Sequence, residues 1–312
     1  MAAFAVALAL FMFEGCQVRH EPEEPSATIL STDLSLCMDP DDWFDTWLFL
    51  KSEHLSPAGI VLADYTTDSV AVLTKELAMI AGKPDIPVVK GVQGKLRREG
   101  DSLAAPDFHE GAEFILETMR NARGKVRLIA LGSLRNEALA YSMDPDLFRR
   151  KAERVVFVSV PVHGEFATNL ERDTLAASTI YNSGVSVMSI PALKQKLTGP
   201  MEERVARTDT PVCRFLTERL RVWREWKTAN EQGFLERTQQ LMGMGKNLWS
   251  LPVFIPENEW DDYGIVCYPC NGATDPVMRA KYPYDPDGKD LMMVQWNEKA
   301  VLKHALDIIL EK

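Results

Sequence analysis

Residues 28–45 read TILSTDLSLCMDPDDWFD. A short apolar run opens the stretch, and Asp33, Asp39, Asp41 and Asp42 then fall within ten residues, just ahead of a helical segment at 43–51. Carboxylates held about 4–5 Å apart repel by about 3–4 kcal/mol per pair at an effective dielectric of roughly 20. A chain that gathers them offsets this with a cation or with backbone N–H donors. Oxygen-only donors suit Ca²⁺ or Mg²⁺. The same residues also read as a helix N-cap (Asp41 or Asp42) amid solvated turn residues, and the stretch alone leaves both readings open.

Outward from this unit, short apolar β-rich runs recur about every 30 residues, at 27–30, 58–63, 86–89, 126–131, 155–160 and 185–190. Continuous apolar runs of this length are the mark of strands buried on both faces. Between them, 69–81, 110–121 and 173–181 carry apolar residues at three- and four-residue spacing, as amphipathic helices do. The alternation predicts an α/β fold: an open, mostly parallel, doubly wound sheet with helices on both faces. Ligands of such sheets bind beyond the carboxyl ends of the strands, where the acidic loop lies. The last third differs: 201–236 reads as one or two long amphipathic helices, 249–262 as irregular loop and 300–310 as a closing helix.

The 312 residues carry 45 Asp+Glu against 35 Lys+Arg, a net charge of -10, which argues against a nucleic-acid surface. Five Cys are too few for a disulfide scaffold. Residues 1–13, MAAFAVALALFMF, are apolar but shorter than the roughly 20 residues of a bilayer span, and they resemble the core of an export signal. Gly15-Cys16 follows, as in a bacterial lipoprotein signal, and then a polar Pro- and Glu-rich tether. The expected division is a signal and tether at 1–26 and one catalytic-size domain at 27–312. Export to the periplasm or cell envelope is expected, with Cys16 the candidate lipid anchor. Self-association is left open.

Four segments together resemble the inosine-uridine-preferring nucleoside hydrolase family. Ser31-Thr32-Asp33 followed by Asp39-Pro40-Asp41-Asp42 is similar to its opening D-x-D-x(n)-D-D-A, with a longer loop. LIALGSLRNEALA (128–140) resembles L-G-P-L-T-N-x-A-x-A, EFATNLERDTLAA (165–177) resembles E-F-N-x-x-x-D-x-x-A-A, and ATDPVMRA (273–280) resembles H-D-P-x-A-x-A. The resemblance implies one Ca²⁺ at the carboxyl ends of the strands, held by Asp33, Asp42, Asp275 and the carbonyl of Leu131. It implies Asp33 as general base, with Asp41, Glu165 and Asn169 as substrate contacts. The implied reaction is hydrolysis of the N-glycosidic bond of a ribonucleoside or related riboside, by water that the ion makes more acidic.

Several residues depart from the pattern. Ser31 stands at the first Asp, and Ser159-Val160-Pro161 replaces Met-Gly-Gly, with no Gly-Asn element after it. Glu165 lies two residues too far from Asn169, which puts Ala167 at the acidic position, and Thr274 replaces the His. These favour, as an alternative, a weakly active or non-catalytic relative that binds a sugar-like ligand at the retained metal site. A phosphatase using Asp33 as nucleophile needs a second Asp where Ser35 stands. Among other residues, His163 is a candidate proton donor, Trp260 and Tyr263 are candidate ring-stacking groups, and Cys37, Cys267 and Cys270 are candidates for a disulfide.

Overall fold

The computed structural model describes residues 27–64, 67–96, 109–160, 168–191, 195–230, 246–274 and 280–311. The expected signal and tether, together with His163, Glu165 and Asp275, lie outside these described residues. Among the described residues no helix is long and apolar enough to cross a membrane.

The main sheet has eight strands. In chain order they are β1 (Ala27–Thr32), β2 (Pro57–Leu62), β3 (Val88–Lys90), β4 (Val126–Ala130), β5 (Ala152–Val160), β6 (Val187–Pro191), then, after two short strands treated below, β9 (Val266–Cys270) and, after the two-residue strands β10 (Ala273–Thr274) and β11 (Ala280–Lys281) that pair with each other, β12 (Asp290–Gln295). Their spatial order is β3-β2-β1-β4-β5-β6-β12-β9. The pairings from β3 across to β12 are parallel, and β9 alone runs antiparallel, against β12. The α/β reading therefore holds. The last two strands of the sheet were not anticipated. DLMMVQ (β12) carries a charge at its start and an amide at its end, which hid it, and β9 holds a proline.

Alternate residues on each strand enter two separate cores. Leu30, Ile60, Ile129 and Val156 face one, and Ile29, Val61, Leu128 and Val155 face the other. Helices α3 (Glu110–Asn121), α4 (Arg135–Met143), α5 (Pro145–Lys151) and α7 (Thr174–Tyr181) cover the second face. The first is covered by α1 (Asp41–Lys51), α2 (Asp68–Ile80), α8 (Gly199–Arg207), α9 (Pro211–Asn230) and the closing helix α10 (Glu298–Ile309). Of the amphipathic stretch expected at 201–236, residues 231–236 lie outside the described residues, and the rest falls in two helices, α8 and α9, with a break just ahead of Pro211, whose ring is tolerated at a helix start. Two 3-10 turns, Leu251–Phe254 and Glu257–Glu259, lie in the stretch read as loop.

Helix α1 begins two residues earlier than expected, so Asp41 and Asp42 form its first turn. Its N-cap is Pro40, without a side-chain cap. Every residue from Asp41 to Leu50 is buried. A helix apolar all round belongs in a core, and the exceptions here are Thr46 and three carboxylates, Asp41, Asp42 and Asp45.

The expected disulfide is not formed: Cys37, Cys213, Cys267 and Cys270 are free. Cys267 and Cys270 are three residues apart on β9, so the pleat directs them to opposite faces. Burial pushes their thiols up to about 12 and about 11.

Candidate active site

Between β1 and β4 the sheet reverses its order of construction: β2 and β3 are added on one side, β4, β5 and β6 on the other. At such a switch point the loops leaving two adjacent strands diverge and open a crevice. Asp33 follows β1, and Leu131 and Gly132 follow β4. The two loops are stitched together, with the Leu131 N–H donating to the Ser31 carbonyl at 2.8 Å. A Cβ on Gly132 would lie 2.9 Å from that of Asp33 and 3.1 Å from an oxygen of Asp64, so only glycine admits this approach.

The loop from Asp33 to α1 is organised locally. Ser35 Oγ accepts from the Met38 N–H at 2.9 Å, and the Trp43 indole donates to the Ser35 carbonyl at 3.0 Å. This anchors the start of α1 beside β1, and Thr32 Oγ1 donates to Asp42 at 3.0 Å. Asp42 and the Leu131 N–H are therefore both tied to the end of β1, which Asp33 directly follows. Asp41, Asp42 and Asp45 each place one carboxylate oxygen within 4.8 Å of the others.

The one cation paired with this group among the described residues is Lys246, on β8 (Lys246–Leu248), which pairs with β7 (Gln195–Leu197). Its Nζ lies 2.5 Å from Asp39 and 3.6 Å from Asp41, with the rings of Trp223 and Trp249 at 5.9 and 5.8 Å. Burial opposes its charge, but Asp41 and Asp39 raise its pKa above the ordinary value, so it stays an ammonium. It does not neutralise the whole group. Burial, with the charge of Asp39 behind it, pushes Asp42 up to about 7 despite the Thr32 hydroxyl. Burial and neighbouring carboxylates likewise raise Asp41 and Asp45 well above the carboxylate range.

A second set of acids is matched by arginines. Arg135, on α4, donates to Asp64 at 2.6 Å and to Asp173 at 3.1 Å. Asp64 also accepts from the Ser133 N–H at 3.0 Å and from its hydroxyl at 2.7 Å. It sits in the left-handed region, φ 62°, where an Asp persists only when its surroundings hold it. Asp173 caps α7 through the Ala176 N–H at 3.0 Å and accepts from Leu96 N–H at 2.7 Å. Arg172, at the end of α6 (Thr168–Arg172), is ion-paired with Asp33 and lies 3.4 Å from Asp64. Asp64, Arg135 and Arg172 escaped the sequence reading. Position alone could have flagged Asp64, which follows β2 as Asp33 follows β1.

Asn169 does not reach toward the acidic helix start. Its amide donates to the carbonyls of Leu131 and, at 2.8 Å, of Val158. Asn136 fixes the floor of the crevice: its oxygen accepts from the Val92 N–H at 2.7 Å and its amide donates to Ser31 Oγ at 3.1 Å. Beside it Glu137 is fully buried, and burial pushes its carboxyl up to about 7, with Ser31 and Asp64 as neighbours. Tyr263 hydrogen-bonds His304 on α10 at 2.8 Å, and Trp260 donates to the Ile255 carbonyl at 3.3 Å.

The donors gathered here are hard oxygens, and the buried oxygens of Asp45 have no hydrogen-bond partner. That chemistry fits a divalent cation such as Ca²⁺. Of the expected ligands that lie among the described residues, Asp42 stands in this group, Asp33 is ion-paired with Arg172, and the Leu131 carbonyl accepts from Asn169.

Residues 28–244 match the model of the family described as inosine-uridine preferring nucleoside hydrolase. An uncharacterised Schizosaccharomyces pombe protein is 27% identical over 179 residues, 48% of this chain and 57% of that one. A probable uridine nucleosidase 2 of Arabidopsis thaliana is 24% identical over 177 residues, 48% of this chain and 55% of that one. The chain thus spans about half the length of the curated relatives it matches. Among solved structures, a plant nucleoside hydrolase superposes with a TM-score of 0.70 at 16% identity, covering 92% of this chain and 100% of that one. A purine-preferring ribonucleoside hydrolase from Gardnerella vaginalis gives 0.71 at 17% identity, covering 91% and 98%. At such identities these likenesses establish the fold.

Proposed function

The chain belongs to the inosine-uridine preferring nucleoside hydrolase family, and from that premise we propose that it hydrolyses the N-glycosidic bond of a ribonucleoside or related riboside, releasing base and ribose, with Ca²⁺ bound at the switch point. The observation that carries this reading is that Asp42 is held by Thr32 at the end of β1, next to Asp33, and that the Leu131 N–H ties the loop after β4 to the same strand. When bound, the ion would polarise a water and make it more acidic. Asp33 accepts the proton of the attacking water, and the C–N bond breaks with its electron pair passing to the base nitrogen. Positive charge building on the ribosyl group is offset by the carboxylates at the start of α1. Arg172 holds Asp33 in an ion pair, and must move off it before Asp33 can take a proton. Asp41 and Asn169, with Asp275 and Glu165 from outside the described residues, complete the proposed ligand and substrate set. We further propose export to the cell envelope through residues 1–26, with Cys16 as anchor.

The Arg172–Asp33 pair and the engagement of Asn169 with two carbonyls favour a second reading. In it the chain is a weakly active or non-catalytic relative that binds a sugar-like molecule at the metal site. Reducing-sugar release from a panel of nucleosides, with Ca²⁺, with chelator and with Asp42→Asn, separates the two. The hydrolase reading expects release that chelator abolishes and that Asp42→Asn lowers at least about a hundredfold, the scale of one lost electrostatic contact. Calcium binding without release from any nucleoside would leave the second reading in place.

A further inference from the structure

Asp45 belongs to none of the roles above. It lies one helical turn beyond Asp41, so Asp41, Asp42 and Asp45 share one side of α1. It is fully buried. Ser250 lies beside it, yet neither carboxylate oxygen has a partner at hydrogen-bond geometry. A buried carboxylate in that condition is costly, because it has lost its water and gained nothing in return. One of its oxygens lies within 4.8 Å of oxygens of both Asp41 and Asp42, the spacing of ligands around a single hard cation.

The surrounding charges point the same way. Asp33 is paired with Arg172. The helix start sets Asp39, Asp41, Asp42 and Asp45 against the single ammonium of Lys246, among the described residues. Two further positive charges would nearly balance it.

We propose that the start of α1 is itself a divalent-cation site whose oxygen ligands are Asp41, Asp42 and Asp45, with Asp42 shared with the position beside Asp33. This deepens the reading above and rests on a hard cation binding at this end of the sheet. The site takes Ca²⁺ or an ion of similar hardness. Asp45 is what distinguishes it, since a cation held by Asp33, Asp42 and Leu131 alone has no use for Asp45.

The test is Ca²⁺ binding to the full chain by calorimetry, for wild type, Asp45→Asn, Asp45→Leu and Asp42→Asn. Thermal unfolding of each is measured with and without Ca²⁺. The expected result is a loss of at least tenfold in Ca²⁺ affinity for both Asp45 variants. Their metal-free melting temperatures should equal or exceed that of metal-free wild type, while their gain from added Ca²⁺ shrinks. A residue that merely packs the core would lower both melting temperatures and leave affinity alone. Wild-type affinity in the Asp45 variants overturns the inference, and if Asp42→Asn still loses binding, the broader reading survives it. No Ca²⁺ binding by wild type removes both. Tb³⁺-loaded wild-type crystals give an answer that does not depend on the variants folding. An anomalous peak among Asp41, Asp42 and Asp45 supports the site, and a peak confined to Asp33 and Leu131 refutes it.

Discussion

Asp64 and Asp173 are buried as deeply as Asp41 and Asp42, at the same end of the same sheet, and their surroundings treat them in opposite ways. Around Asp64 and Asp173 the chain supplies its own cations, Arg135 and Arg172, and adds backbone N–H donors. Around Asp41, Asp42 and Asp45 it supplies one lysine, already shared with Asp39, and leaves the Asp45 oxygens bare. A buried charge must be paired or it neutralises itself. The first group is therefore complete within the fold. The second is not, and the proposed cation would complete it from outside.

The largest expected effect tests the self-sufficient group. Arg135→Ala leaves Asp64 and Asp173 short of their shared cation and should cost about 3–5 kcal/mol, the scale of breaking a buried pair from one side. Urea unfolding measures it, and added Ca²⁺ should not restore the loss. Restoration by Ca²⁺ would mean the arginine network also takes metal, and the contrast drawn above would collapse.

Glu137 sharpens the comparison, since it is a third buried acid with no cation assigned to it. Its carboxyl is pushed up to about 7 from an ordinary 4.5, first by burial. Below about pH 4.5 it is protonated in both folded and unfolded chains and costs nothing. As pH rises toward 7 the unfolded chain ionises first, so stability is lost across that window and stays lost above it. The loss is roughly 3 kcal/mol, about 1.4 kcal/mol for each unit of difference. Glu137→Gln should flatten that part of the stability–pH curve. An unchanged curve in the variant would show that Glu137 is not the group responsible.

The smallest effect lies at the seam between the two groups. Gly132→Ala sets a methyl against Asp33 and Asp64 and should cost about 1–2 kcal/mol by overpacking. It should leave Ca²⁺ affinity nearly unchanged if the cation sits on α1, and weaken it clearly if Asp33 is the principal ligand. Calorimetry on the variant decides between these.

Much of this was legible in the chain. The strand-and-helix alternation and the acidic stretch after β1 come from local pattern, and local pattern is what a single sequence displays. The arginine network was not legible. Arg135 meets Asp64 across 71 positions and Arg172 meets Asp33 across 139, and no spacing rule announces contacts made by the closing of a sheet. Lys246 is hidden for the same reason, reaching Asp39 and Asp41 from beyond α9. Cys37, Cys267 and Cys270 stood as disulfide candidates by their places in the chain, but all three thiols are free. Asp45 drew no notice because an Asp inside a helix passes for a surface residue until the helix is seen to be buried on every side.

The placing of β1 has a consequence in time. Its first neighbour, β2, follows within about 30 residues, but its second, β4, pairs Thr28 with Arg127, about a hundred residues later. A chain leaving the ribosome therefore holds β1 with one edge open until β4 emerges. The loop bearing Asp33 cannot meet Leu131 before then. The crevice can form once β4 has emerged, ahead of β5, β6, β9 and β12, and a defect that delays β4 would leave β1 open to pairing with the wrong strand.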